Sequence, residues 1–121
     1  MTSTAHLYDV HLPTLAAGQL HGDWNLTCLR PAVAPELPWA TAVRLQLRKD
    51  ALWLHEATGP SLVGAWHLQR HQRLGQPFLV LDLPDAGAQA LITRLRCSPD
   101  GAVRQMILYF RSGLELQLTH P

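Results

Sequence analysis

The 121-residue chain has a single lysine, Lys49, beside nine arginines. Charged residues make up only 16% of it, and the formal net charge is +1. So weak a net field excludes global steering towards nucleic acid or an anionic membrane surface. Cysteine is equally scarce: Cys28 and Cys97 are too few for a disulfide scaffold. No apolar run approaches the roughly 18 residues of a membrane-spanning helix. The stretch Met1–Leu12 lacks the basic and apolar regions of a secretory signal, so the expected location is cytoplasmic. Helix-length periodicity is missing too, as is any glycine-rich phosphate cradle.

What is present is apolar: 47% of residues, which excludes intrinsic disorder and is enough to build one domain with a real core. The chain is organised around Gly22-Asp23-Trp24-Asn25-Leu26, which recurs as Gly64-Ala65-Trp66-His67-Leu68. From Gly22 onward the apolar residues alternate with period two, the mark of half-buried strands. Trp24, Leu26 and Cys28 share one face of the first. Val43, Leu45 and Leu47 alternate with Arg44, Gln46 and Arg48 in the next. Lys49-Asp50, Thr58-Gly59-Pro60, Leu74-Gly75-Gln76, Pro84-Asp85-Ala86-Gly87, Ser98-Pro99-Asp100-Gly101 and Ser112-Gly113 punctuate the runs with turn residues. A loop from Arg30 to Pro38, holding Pro31, Pro35 and Pro38, is the longest connection.

The fold expected is all-β: eight strands in an antiparallel meander over residues 22–121, closing into a barrel that removes its exposed edges. A two-sheet sandwich is the alternative. Residues 1–21 read as a covering segment, with a short strand from His6 to Leu12, a stop at Pro13 and one helical turn ending at Gly18, for which Thr14 is the N-cap candidate.

Gly22-Asp23-Trp24, a Gly-x-Trp opening the first strand after a turn-like segment, resembles the lipocalin-like (calycin) barrels. The closing run Gly113–Leu118 is similar to the last strand of many small bacterial lipocalin-like domains. The resemblance spans roughly residues 15–120 as a pattern and rests on Gly22 and Trp24 as motif positions. It implies a tryptophan packed at the closed end of the barrel beneath an arginine from late in the chain. Near the chain's end, Arg111 precedes the last strand and His120 follows it, so no arginine is assigned to that place. The spacing also resembles small barrels that inhibit bacterial metalloproteases through an N-terminal segment.

Chemistry is hard to find. Among the seven histidines, His67 and His71 have a helical metal-ligand spacing, but in a strand four residues span about 13 Å, too far to share an ion. The acids are scattered through turns and polar faces, and Ser61, Ser98 and Ser112 sit in turns without a motif. The expectation is therefore no catalytic residue, no metal, no cofactor and no enzyme. Cys28 and Cys97 both face inward in this register, on strands too far apart for a bond of about 7 Å Cα reach, and their state is left open.

Two binding readings follow. The inward residues are nearly all large and apolar, so the interior is expected to be mostly filled, and any residual pocket would be lined by Trp24, Trp66 and Phe110 with Thr93 as a polar anchor, suiting a small apolar ligand. Alternatively, Phe78, Val80, Ile92, Ile107 and Tyr109 form an outer apolar patch over three consecutive strands. The leading segment, a second copy making a homodimer, or a foreign protein would cover it. The second function reading is accordingly a protein-interaction or inhibitor module, working through that patch or the N-terminal segment. Arg94, Arg96, Arg104 and Arg111 with Tyr109 could imitate a base-stacking platform, but scattered acids offset them and no nucleic-acid or membrane partner is expected.

Overall fold

The computed structural model describes residues 6–33, 37–84 and 86–121. Residues 1–5 of the covering segment, Pro35 of the long loop and Asp85 of its turn lie outside these. Among the described residues nine strands are present: β1 (Tyr8–Asp9), β2 (Gly22–Arg30), β3 (Ala42–Arg48), β4 (Ala51–Glu56), β5 (Leu62–Arg70), β6 (Pro77–Leu83), β7 (Ala86–Cys97), β8 (Arg104–Phe110) and β9 (Glu115–His120). From β2 to β9 each strand pairs antiparallel with the next, and β9 returns to pair with β2. The sheet is therefore a closed eight-stranded barrel rather than a sandwich. Among the described residues no helix is long and apolar enough to cross a membrane.

The alternating leucines fill the barrel. Trp24, Leu45, Leu47, Leu52, Leu54, Leu79, Leu81, Met106, Leu108, Phe110 and Leu118 are all 0% exposed. A side chain lining an internal void wide enough for water would retain accessible surface, so these residues are packed against one another. Each such leucine contributes about 1.5–3 kcal/mol by leaving water.

Both ends are stoppered. Two short 3₁₀ turns, Leu12–Thr14 and Ala17–Leu20, replace the single helical turn expected before Gly18. Thr14 caps nothing and instead donates its hydroxyl to the His11 carbonyl. Leu15 and Leu20 are buried beneath the Gly22 end of the barrel. At the opposite end, where β2 runs out and β3 begins, Trp39 is buried and packs at a tilt against Phe110 with ring centroids 5.7 Å apart. The short β1 takes the edge of β7 that β6 leaves unpaired, matching Tyr8 to Cys97 and Asp9 to Arg96.

Two register shifts and one gap in strand pairing overturn particular facings. On β7 an extra residue stands between the pairs Ile92–Leu108 and Arg94–Ile107. Ile92 is therefore buried instead of outward, Leu91 is half-buried on the outside, and Thr93 is exposed instead of inward. A strict alternation cannot anticipate a bulge, because one inserted residue exchanges the two faces beyond it. A shift between Ala42 and Arg44 likewise leaves Val43 46% exposed. Cys28 is exposed although it lies in phase with Trp24, since β3 pairs with β2 only from Gly22 to Asn25 and leaves the far half uncovered. Cys97 is half-buried, and both cysteines are free.

Candidate functional site

The glycines of the repeated motif are demanded by close approach. At Gly22, with φ of 142°, an added Cβ would lie 2.6 Å from Arg104 Nη2 and 3.4 Å from His120 Nδ1. At Gly64 it would collide with the backbone carbonyl of Asp82 on β6. Gly64 lets the β6 backbone come close to β5, and Gly22 leaves room for the side chains of Arg104 and His120 that cover Trp24.

Trp24 is held from three sides. Its indole N–H donates to the Leu20 carbonyl at 2.9 Å, the Arg104 guanidinium lies 4.9 Å above its ring, and His120 packs at 5.9 Å. The same guanidinium donates to the Gln19 carbonyl at 2.5 Å and the His21 carbonyl at 2.8 Å, so one side chain ties the 3₁₀ segment to the barrel. Burial pushes the Arg104 pKa down from its usual value. This is an arginine from late in the chain above the Gly-x-Trp tryptophan, at the place where neither Arg111 nor His120 could be assigned. Arg104 opens β8, after Val103 and the Ser98–Gly101 turn, where alternation alone placed it on the solvated face. Trp66 is the counterpart on β5, donating to the Arg48 carbonyl at 2.6 Å and meeting His21 edge-on at 5.8 Å.

Of the residues expected to line a pocket, Trp24, Trp66 and Phe110 are buried in the packed interior, and Thr93 stands outside it. The larger concavities open on the outer surface. One groove of about 430 Å³ has a floor of Phe78, Leu91 and Tyr109, with His71, Gln89 and Arg111 at its rim. A second, of about 580 Å³, adjoins it through Gln89 and Arg111 and runs over Val80, Asp82 and Gly87 to Ser112. The expected outer patch thus keeps Phe78, Val80, Ile107 and Tyr109, while Ile92 leaves it and Leu91 takes its place opposite Phe78 and Tyr109. Among the described residues the leading segment, from residue 6 onward, does not line this groove; β1 joins the far half of β7.

The arginines expected on one solvated face have separate duties. Arg94 pairs with Asp9 at 2.9 Å and fastens β1, and Arg96 bonds Gln105. Among the described residues no three His, Cys, Asp or Glu side chains converge as metal ligands.

Three aspartates are held below the ordinary carboxylate range. Hydrogen bonds from Arg48 and then Gln46 do this for Asp23, a hydrogen bond from Arg94 for Asp9, and the Ser98 hydroxyl and Ala102 N–H for Asp100. A carboxyl that is more acidic folded than unfolded stabilises the fold above the unfolded pKa, near 3.8, and loses that contribution as pH falls through the folded pKa. Urea unfolding at stepped pH is expected to show stability falling below that value. Asp23→Asn should flatten the fall; an unchanged profile would remove Asp23 from the account.

Comparison of the chain with protein-family models, curated proteins and solved structures finds no match.

Proposed function

We propose that this chain is a lipocalin-like barrel working as a protein-interaction module, with its recognition surface on the outside of β6, β7 and β8. The observation that carries this reading is the contrast between the two faces. The interior is packed with side chains of 0% exposure, whereas the outer surface offers a groove of about 430 Å³ with an aromatic floor. Gly22 and Trp24 beneath Arg104 support the lipocalin-like assignment. A barrel interior without room is poor support for a carrier of small apolar ligands, the other reading of the same fold.

The chemistry of the groove defines the partner. Phe78, Leu91 and Tyr109 suit an apolar side chain, and Arg111, which makes no ion pair among the described residues, suits a neighbouring carboxylate. Peptides selected from a random library against the immobilised protein are expected to combine a large apolar residue with Asp or Glu. Tyr109→Ala and Arg111→Glu should each weaken such a peptide about tenfold or more without moving the melting temperature. Equal binding to wild type and both variants would remove the groove from the proposal. A blue shift of Trp24 or Trp66 emission on titration with fatty acid would instead restore the carrier reading.

A further inference from the structure

We propose that Ser61 is a nucleophile activated by His55, in a hydrogen-bonded relay that runs through Gln46 to Asp23 and accepts the acyl group of small carboxylic esters. The four residues come from β2, β3, β4 and the turn before β5, and they meet on the outer face of the barrel. Asp23 stands directly opposite Gln46 in the β2–β3 pairing. His55 stands opposite Arg44 and so lies diagonal to Gln46, within reach of a long side chain. The Thr58-Gly59-Pro60 turn, with Gly59 at φ of 96°, brings Ser61 back over His55.

The donors and acceptors leave one consistent arrangement. Ionised Asp23 can only accept, so the Gln46 amide nitrogen, 3.1 Å from its Oδ1, is the donor there. That turns the Gln46 carbonyl oxygen towards His55 Nε2 at 2.9 Å, which must therefore carry the proton. In the neutral imidazole Nδ1 is then the acceptor, and it faces Ser61 Oγ at 2.7 Å. A hydroxyl bonded to a bare imidazole nitrogen, with the other nitrogen oriented by an acceptor, is the arrangement that activates a serine. Arg48 fixes the far end by pairing with Asp23 at 3.0 Å. Arg44 opposite His55 and Glu56, engaged by Thr41 Oγ1 at 2.5 Å, are the other charged groups flanking the relay. His55 and Gln46 are half-buried, while Ser61 is exposed and open to substrate.

In the reaction, Ser61 Oγ forms a bond to the ester carbonyl carbon while its proton passes to His55 Nδ1. Collapse of the tetrahedral adduct breaks the bond to the alkoxy oxygen, and the leaving group takes that proton. Water then attacks acyl-Ser61 as its proton passes to His55 Nδ1; collapse breaks the bond between Oγ and the acyl carbon, Oγ takes that proton back, and the acid is released. The relay lies on β2 to β5, away from the β6–β8 groove, so it stands or falls independently of the interaction reading.

The probe is p-nitrophenyl acetate with the full chain, followed by trypsin and mass spectrometry of the peptide running from Asp50 to Arg70. Acetylation of Ser61 is expected to be about a hundredfold slower in His55→Ala. It should be absent from the peptide in Ser61→Ala. Gln46→Leu, which removes the orienting acceptor, should slow acylation, and Gln46→Glu should restore it. Circular dichroism monitors the fold of each variant, and Gln46→Leu carries the test if His55→Ala unfolds. Acetyl confined to lysine or histidine, or Ser61 labelled equally fast in wild type, His55→Ala and Gln46→Leu, overturns the proposal.

Discussion

Trp24→Ala is expected to lower stability by about 3–5 kcal/mol in urea unfolding, the range for emptying an aromatic site in a packed core. The indole is fully buried, so its removal leaves a cavity in an interior with no room to relax. It also strips the Leu20 carbonyl of its donor and Arg104 of the ring beneath its guanidinium. Part of the loss should therefore appear as loosening of the 3₁₀ segment, seen as faster amide exchange at Leu20 and His21. A double-mutant cycle of Trp24→Ala with Arg104→Met is expected to give a coupling of about 1 kcal/mol. A cost for Trp24→Ala below about 1 kcal/mol would mean that the motif does not anchor the core.

Gly64→Ala should be nearly as damaging for a residue with no side chain to lose. Its Cβ would run into the Asp82 carbonyl, a backbone atom in the β5–β6 ladder that cannot swing aside. We expect a loss of about 3 kcal/mol, at the upper end for overpacking, because two strands must part to accommodate it. Gly22→Ala should cost less from crowding, since the nearest obstacle is the end of the Arg104 side chain, although its φ of 142° adds backbone strain. Thermal melts of the two variants compare the effects directly. A Gly64→Ala protein as stable as wild type would show that β5 and β6 do not need to approach so closely.

Much of this molecule was legible in the sequence because alternation reports which face of a strand is buried. Leu45 and Leu47, Leu52 and Leu54, and Met106, Leu108 and Phe110 fall inward as the pattern requires. The pattern breaks at the bulges. Val43 and Thr93 point outward because each occupies an inserted position, and nothing in a string of letters marks Thr93 as the residue without a partner. Arg104 was missed for a related reason. An arginine at a strand start reads as solvated, and only the neighbouring 3₁₀ carbonyls and the Trp24 ring make an inward path favourable. The Ser61–His55–Gln46–Asp23 chain was invisible because its members come from separate strands and a turn, and each looks ordinary alone.

The sequence by itself determined that strands form, which side of most of them is apolar, and that the two tryptophans after Gly22 and Gly64 enter one core. Those are local properties: they depend on period-two alternation, turn chemistry and the small size of glycine. Closure of the sheet through β2 and β9 rather than a sandwich, the positions of the bulges, and the meeting of side chains from separate strands on the outer face were decided only by the tertiary structure. Pairing register and bulges place such side chains to within an ångström, and register is a relation between distant segments rather than a property of either one.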